Sequence, residues 1–172
     1  AEIFDLLEEV TLVTRGGEAR VVPAGTIPHG YRWSALADGD DVVAGATLRL
    51  RPAAREEIDA RLAGVREKRK KALPMEPNAG SVFRNPPGDH AGRLLEACGL
   101  KGARVGGAEV SVRHANVIVN AGGATAGDVR ALMSRMRGAV RDRFGVELVP
   151  EVEDLARRVT NRTGGGSVES AR

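Results

Sequence analysis

The spacing of apolar residues along the chain predicts three helices. They cover residues 53–73, where Pro74 ends the pattern, Asp89–Cys98 and Thr125–Phe144. In each helix apolar residues recur every three or four positions, so that one face is apolar and the remaining faces are polar. The apolar faces consist, in order, of Ile58, Leu62 and Val65; of Ala91, Leu94, Leu95 and Cys98; and of Val129, Leu132, Met133, Met136, Val140 and Phe144.

Strands are predicted before the first helix and between the second and the third. The runs Val10–Thr14 and Ala19–Val22 are rich in β-branched residues and flank a glycine-containing turn, which indicates a β-hairpin. Further strands are predicted at 41–50, 104–105, 108–111, 116–119 and 147–149. Thr125 is placed to cap the third helix, and Gly99 and Gly145 are placed to end the second and third helices. The expected architecture is α+β.

Composition indicates a folded protein and excludes several classes. Apolar residues make up 42% of the 172 residues, enough for a sizeable core. Cys98 is the only cysteine, so no intrachain disulfide forms, which suits a cytoplasmic protein. No apolar run approaches the roughly 20 residues of a membrane span, and the acidic start, with Glu2 and Asp5, is unlike a signal peptide. The three histidines lack ligand spacing, so no metal site is expected.

The segment Asn78–Pro87 carries the strongest chemical signal. Its Ser81 follows a glycine and precedes an aromatic residue, in a run too rich in turn-forming residues for an ordinary helix or strand. From the residues alone, Ser81 is either a hydroxyl that caps a turn or a chemically active group. Three further motifs follow in order: Gly99-Leu100-Lys101-Gly102 after the second helix, Gly106-Gly107-Ala108-Glu109-Val110-Ser111, and His114-Ala115-Asn116-Val117-Ile118-Val119-Asn120.

This series resembles the substrate-binding half of UDP-N-acetylenolpyruvoylglucosamine reductase, also called UDP-N-acetylmuramate dehydrogenase. The resemblance runs from about Glu2 to Glu151 and ends at a Pro-Glu-Val motif, residues 150–152. It implies a cytoplasmic oxidoreductase of peptidoglycan synthesis, and so of cell-wall biogenesis, cell shape and cell division. In that family NADPH reduces FAD, which then reduces UDP-N-acetylglucosamine-enolpyruvate to UDP-N-acetylmuramate. A monomer without a nucleic-acid or membrane partner is expected.

The resemblance also implies a domain organisation. Residues 1–52 are expected to be the C-terminal remnant of an FAD-binding α+β subdomain, residues 53–152 a small α/β sandwich that binds the substrate, and residues 153–172 a disordered tail. The chain opens like the segment after the family's last FAD-binding motif, so it is expected to be a fragment that does not turn over alone. The path from Leu50 to Ser81 contains no tyrosine, which resembles the shorter type of the family.

The resemblance implies specific roles for three residues. Ser81 would donate a proton to the substrate carbanion, and Arg32, within Gly30-Tyr31-Arg32-Trp33-Ser34, would hold the substrate carboxylate and stabilise the enolate. Glu151 would act beside the arginine, although Glu153-Asp154-Leu155 replaces the family's basic-aliphatic-aliphatic-glycine ending. The implied substrate-binding residues are Tyr31, Arg84, Asn85, Lys101, His114 and Asn116. No FAD-binding residue is assigned.

Two other functions stay open at this point. The net charge of +3 and the isoelectric point of about 9.5 suit a nucleotide-sugar diphosphate, but they also suit nucleic acid. The chain could thus be a non-catalytic UDP-sugar-binding module, or a basic nucleic-acid-binding domain built on Lys68–Lys71. The scarcity of aromatic residues, at 3%, argues against nucleic acid, because single strands are bound by stacking on aromatic side chains.

Overall fold

The computed structural model describes residues 2–154, and these residues form two compact units. One unit ends at Asp59 and the other begins at Ala60. Both contain antiparallel sheets, and the content of helices and strands confirms the α+β expectation. The tail predicted at 153–172 lies outside the described residues from Leu155 onward.

The first unit is built on a three-stranded antiparallel sheet. Its strands are β1, Leu7–Val13; β2, Ala19–Pro23; and β5, Val42–Leu48, in the spatial order β2-β1-β5. The predicted hairpin is confirmed. Val10 and Leu12 alternate along the central strand and are buried together with Ile27, because every second residue of a strand faces the same side. Between β2 and β5 lies a second, very short hairpin of β3, His29–Gly30, and β4, Trp33–Ser34.

The second unit contains a four-stranded antiparallel sheet and two helices that pack together. The strands are β6, Asn78–Ser81; β7, Arg104–Val105; β8, Ala108–Val110; and β9, Val117–Asn120, in the order β6-β9-β8-β7. Helix α2, Ala91–Ala97, contacts helix α3, Ala126–Phe144, which also lies against β7 and β8. The core of this unit is formed by side chains from both helices and the sheet, among them Leu94, Leu95, Val110, Leu132, Met136 and Val140.

Helix α3 could be predicted because the residues that cap its ends and form its buried face lie in one continuous segment. The Thr125 hydroxyl accepts a hydrogen bond from the Asp128 N–H, and the Asp128 carboxylate accepts one from the Thr125 N–H, so the first turn is capped twice. Gly145 ends the helix in the left-handed conformation. Both predicted caps are confirmed, as is Gly99 in the left-handed conformation after α2. Leu132, Met136 and Val140 of the predicted stripe are buried.

The first predicted helix is also present, but its apolar face is not covered. Helix α1, Arg55–Ala72, begins in the first unit and continues into the second, and none of its residues is buried. Ile58, Leu62 and Val65 are 42–53% exposed. The periodicity therefore correctly indicated a helix, while no described residue buries these three side chains.

Two local predictions were wrong. Asn78–Ser81 forms strand β6, although the segment seemed too rich in turn residues; the strand tolerates Gly80 at a φ of 80° because its register against β9 shifts between Asn78 and Ser81. The segment 147–149 does not form a strand. The next residue, Pro150, makes an isolated β-bridge to Phe83. The pairing does not continue as a ladder, because proline has no backbone N–H.

Candidate functional site

A polar cleft of about 390 Å³ lies in the second unit. Three segments line it: the end of β6 and the loop after it, the start of α2, and the loop that precedes β9. They contribute Ser81 and Asn85, His90 and Arg93, and Arg113 and His114, respectively. The antiparallel pairing of β6 with β9 brings the first and third segments together, since Ser81 pairs with Val117. Four of the predicted site residues, Ser81, Asn85, His114 and Asn116, therefore line one cleft.

The backbone around Ser81 directs its hydroxyl to this cleft. Val82 is buried in the core, so the preceding residue of the extended chain faces the opposite side and is exposed. The N–H of Gly80 donates to Oδ1 of Asn78 at 2.9 Å, and this short turn lets the glycine adopt its left-handed conformation. The result is a serine at the edge of the sheet, accessible to a ligand and close to the basic side chains of the cleft.

Asn116 is the structural link between the cleft and the core. Its side chain is 3% exposed, accepts a hydrogen bond from the Phe83 N–H at 3.0 Å, and donates one to the Phe83 carbonyl at 2.8 Å. The Asn116 carbonyl also accepts from the Val82 N–H at 2.8 Å. The residue thus extends the pairing of β6 and β9 past Ser81 and fixes the backbone of the serine loop.

Asn85 has a capping role. Its Oδ1 accepts a hydrogen bond from the Ala91 N–H at 3.0 Å, which satisfies the first backbone donor of α2. The loop after Ser81 is thereby attached to the helix that carries Arg93. The same side chain lines the cleft, so Asn85 holds the geometry of the site as well as facing a ligand.

His114 lines the cleft, and a backbone hydrogen bond to one ring nitrogen defines its neutral tautomer. Its Nδ1 accepts a hydrogen bond from the Asn116 N–H at 3.2 Å, so the neutral ring carries its proton on Nε2. Gly92 leaves room for this ring, because a Cβ at that position would lie 3.1 Å from Cε1 of His114. The imidazole is half-buried between α2 and the loop before β9.

Arg93 and Arg113 were not predicted as site residues. Arg93 forms a two-pronged ion pair with Asp89, and Arg113 donates to the Lys70 carbonyl at 3.2 Å. Arg113 gives the cleft its net positive charge, because the charge of Arg93 is offset by Asp89 and that of the acidic lining residue Glu96 by Lys101 at 2.6 Å. Neither arginine belongs to a motif that was recognised in the sequence. The one signal that could have indicated Arg113 as a site residue is its position next to His114.

Three of the predicted site residues of this unit do not line the cleft among the described residues: Arg84, Lys101 and Glu151. The Arg84 N–H donates to the Val149 carbonyl at 2.9 Å, and its buried Nε has no hydrogen-bond partner among the described residues. The Glu151 N–H donates to the Val82 carbonyl at 2.8 Å, which places Glu151 beside the residue that follows Ser81. Lys101 is held by its ion pair with Glu96.

Tyr31 and Arg32 belong to the first unit and form the loop of the β3–β4 hairpin. Gly30 pairs with Trp33, so the loop contains only these two residues. Arg32 has a φ of 57° and is the single non-glycine residue with positive φ among those described. An arginine in this region costs about 1–2 kcal/mol relative to ordinary backbone, since its Cβ crowds the neighbouring carbonyl oxygen. The Arg32 guanidinium lies 5.6 Å from the Tyr31 ring centre.

Comparison with known proteins decides the family. Residues 71–155 match the model of the family described as UDP-N-acetylenolpyruvoylglucosamine reductase, C-terminal domain. Residues 71–155 are therefore a C-terminal domain of this reductase family. The matched residues include the whole cleft, and the resemblance identified from the sequence motifs is confirmed.

Full-length relatives extend the similarity beyond the reductase domain. UDP-N-acetylenolpyruvoylglucosamine reductase 2 of Symbiobacterium thermophilum is 44% identical over 153 residues, which is 88% of this chain and 50% of the relative. The reductase of Geobacter metallireducens is 46% identical over 151 residues, again 50% of its length. The crystal structure of the Thermus caldophilus reductase superposes with a TM-score of 0.72 at 41% identity, and covers 84% of this chain and 52% of that one. The chain thus spans about half the length of these relatives.

Among residues 2–154, no group of three or more histidine, cysteine, aspartate or glutamate side chains is arranged to hold a metal ion. No helix of the described part of the chain is long and apolar enough to cross a membrane.

The ion pair at the start of α2 predicts a pH dependence of stability. Hydrogen bonds from Arg93 and then from the His90 N–H lower the pKa of Asp89 from 3.8 to about 2. Because the folded-state pKa is lowered, the carboxylate stabilises the fold fully above about pH 4, and this contribution disappears as the pH falls towards 2. We expect the difference in melting temperature between the wild type and Asp89→Asn to shrink between pH 5 and pH 2. A difference that stays constant over this range would show that Asp89 does not titrate in this way.

Proposed function

We propose that the chain supplies the substrate-binding part of an FAD- and NADPH-dependent reductase that converts UDP-N-acetylglucosamine-enolpyruvate to UDP-N-acetylmuramate in peptidoglycan synthesis. The observation that carries this proposal is the cleft, which Ser81 lines together with Arg93, Arg113 and His114 within the matched domain. A basic cleft of this size suits an anionic nucleotide sugar. In this proposal residues 53–152 are the substrate-binding domain and residues 1–52 belong to the FAD-binding part.

The residues present do not by themselves fit a flavin site. The glycine-rich stretch 102–107 contains strand β7 and the turn that leads to strand β8, whereas a dinucleotide-binding loop runs from a strand into a helix whose N-terminus faces the phosphates. No hydride-transfer step is therefore assigned to a residue of this chain. What the described residues can perform is binding of the nucleotide sugar and transfer of a proton.

We assign the proton transfer to Ser81. Its Oγ–H would donate to the substrate carbon beside the carboxylate, and the serine would be left as an alkoxide. A serine is a weak acid, so this step requires that positive charge close to Oγ stabilise the alkoxide. The cleft provides such charge through Arg113, whereas the charge of Arg93 is offset by Asp89, and the N–H of His114 provides a further donor.

The remaining roles follow from the resemblance and stay proposals. Arg32 would bind the enolpyruvyl carboxylate in the two-pronged manner that suits a guanidinium, with Tyr31 beside it. Glu151 would stabilise the enol intermediate; its support is its place beside Val82, next in the chain to Ser81. Arg84, Asn85, Lys101, His114 and Asn116 are proposed as substrate contacts. We further propose a cytoplasmic monomer, which the single cysteine supports.

Calorimetric titration of the chain with UDP-N-acetylglucosamine tests the cleft directly. We expect binding that Arg113→Ala weakens at least about tenfold, which corresponds to about 1.4 kcal/mol, because a positive charge at the ligand phosphates is lost. Arg141→Ala is the matched control, since it removes an equal charge from an exposed position on α3 paired with Asp142. Absence of binding by the wild type, or equal weakening in both variants, would contradict the proposal.

A non-catalytic nucleotide-sugar-binding module is the second candidate. It is favoured by one observation: every side chain of the cleft comes from residues 81–116 of a single unit. The two functions differ in Ser81→Ala. In a binding module this substitution leaves nucleotide-sugar affinity and biological role intact, whereas in the reductase it abolishes turnover once the complete enzyme is assayed, with affinity nearly unchanged.

A further inference from the structure

The backbone of Arg32 adopts a conformation that its own side chain disfavours. It is the second residue of a two-residue hairpin loop, and positive φ in such loops is normally taken by glycine, asparagine or aspartate. Because two backbone pairs, His29 with Ser34 and Gly30 with Trp33, are a short ladder, the hairpin alone cannot impose this conformation. Contacts of the flanking side chains add to the support of this conformation.

The structure contains such a support on each strand of the hairpin. On β4, the indole Nε1–H of Trp33 donates a hydrogen bond to Oδ2 of Asp38 at 2.8 Å. On β3, the His29 ring stacks on the Phe4 ring with 3.8 Å between ring centres, and its Nδ1 donates to the Ile27 carbonyl at 3.0 Å. The loop residues Tyr31 and Arg32 thus lie between two anchored strands.

The Trp33–Asp38 hydrogen bond joins two side chains, whereas His29 donates to a backbone carbonyl. Trp33 is 46% exposed, so burial alone does not fix its ring, and the bond to Asp38 is the directional contact that does. Asp38 follows the 3-10 helix Ala35–Ala37 and ends it. The pair therefore ties the strand that immediately follows Arg32 to the next turn of the chain, with four residues between the two partners.

We propose that Trp33 and Asp38 are positioning residues: their hydrogen bond holds Arg32 in the left-handed conformation and so aims its guanidinium at the substrate carboxylate. The second clause rests on the proposed function, in which Arg32 binds that carboxylate. Neither Trp33 nor Asp38 is assigned a contact with the substrate.

The first test is made on the free chain and needs no ligand. A residue with φ near 60° gives an intense intraresidue HN–Hα Overhauser effect, which is measured for Arg32 by nuclear magnetic resonance. We expect this signal in the wild type and in Asp38→Asn, which keeps an acceptor oxygen, and we expect it to fall at least twofold in Asp38→Ala and Trp33→Phe. Asp41→Ala, which removes a neighbouring carboxylate paired with Arg20, is the control and should leave it unchanged.

An unchanged signal in both Asp38→Ala and Trp33→Phe would overturn the proposal. Dispersed amide resonances of β1, β2 and β5 in the spectrum of each variant establish that the first unit is folded. If Asp38→Ala fails to fold, Trp33→Phe decides the matter, because it deletes the donor and keeps an aromatic ring of similar shape.

The second test separates this inference from the proposed function. The chain is titrated with UDP-N-acetylglucosamine-enolpyruvate and with UDP-N-acetylglucosamine, which lacks the carboxylate. We expect Asp38→Ala to weaken binding of the first ligand at least threefold and to leave the second unchanged, with Asp38→Asn restoring the preference. Loss of the Overhauser signal without loss of this preference overturns the functional clause. A wild type with no preference for the carboxylate contradicts the role proposed for Arg32, while the first test still decides whether the pair holds its backbone.

Discussion

Replacement of Asn116 by alanine is expected to lower the free energy of unfolding of the second unit by about 3 kcal/mol. The substitution removes two hydrogen bonds to the Phe83 backbone and leaves a buried N–H and a buried carbonyl without a partner. An unsatisfied buried group costs about 1–3 kcal/mol, which exceeds the value of an ordinary hydrogen bond in water. Chemical denaturation monitored by circular dichroism measures the change.

Asn78→Ala provides the matched control for this prediction. The Asn78 side chain also makes two hydrogen bonds to backbone groups, with the Glu76 carbonyl at 2.7 Å and the Gly80 N–H at 2.9 Å, but it is exposed. Water can replace both bonds, so we expect a loss below about 1 kcal/mol. Equal losses in the two variants would show that the burial of Asn116 is not what makes its hydrogen bonds important.

Gly107→Ala is expected to destabilise the second unit by about 3 kcal/mol or more. A Cβ at this position would lie 2.3 Å from the Gly122 carbonyl oxygen and 2.5 Å from the Ala124 nitrogen. Both atoms belong to the backbone that leads into α3, so neither can rotate away as a side chain would. The turn from β7 to β8 and the start of α3 would have to separate, which would disturb Asp128, whose pKa is lowered by hydrogen bonds from Thr125 and then Gly107.

Gly138→Ala should have the opposite sign. Gly138 lies inside α3, and no atom lies within 4 Å of the Cβ that alanine would add. Alanine has the higher helix propensity, so we expect a gain of about 0.5–1 kcal/mol. The two substitutions are chemically identical, and the same denaturation experiment compares them. A loss for both, or for neither, would contradict the account of close backbone approach at Gly107.

Local signals account for what could be predicted from the sequence. The apolar stripe of α3 and its caps at Thr125 and Gly145 are contained within one segment, and all were found in the structure. The same holds for the β1–β2 hairpin. The wrong strand at 147–149 had a suitable apolar run, but whether such a run forms a ladder depends on its neighbour, and Pro150 limits it to one bridge.

Which residues line the cleft depends on the pairing of strands that are far apart in the chain. This pairing was not apparent from the sequence. Arg93 and Arg113 are twenty positions apart and reach one cleft because β6 pairs with β9 while Asn85 holds the start of α2. The dual role of Asn116 was also hidden, because an asparagine in a motif gives no sign of whether its amide faces a ligand or the backbone of Phe83. The family resemblance supplied the motif residues but not these contacts.

The β3–β4 hairpin gives the chain an optical probe for one of its two units. Trp33 is its only tryptophan and Tyr31 its only tyrosine, and both stand in that hairpin. Intrinsic fluorescence therefore reports the melting of the first unit alone, whereas ellipticity at 222 nm is dominated by α2, α3 and most of α1 in the second. Coincident curves from the two signals would identify a single cooperative transition, and separated curves would assign a stability to each unit without any added dye or label.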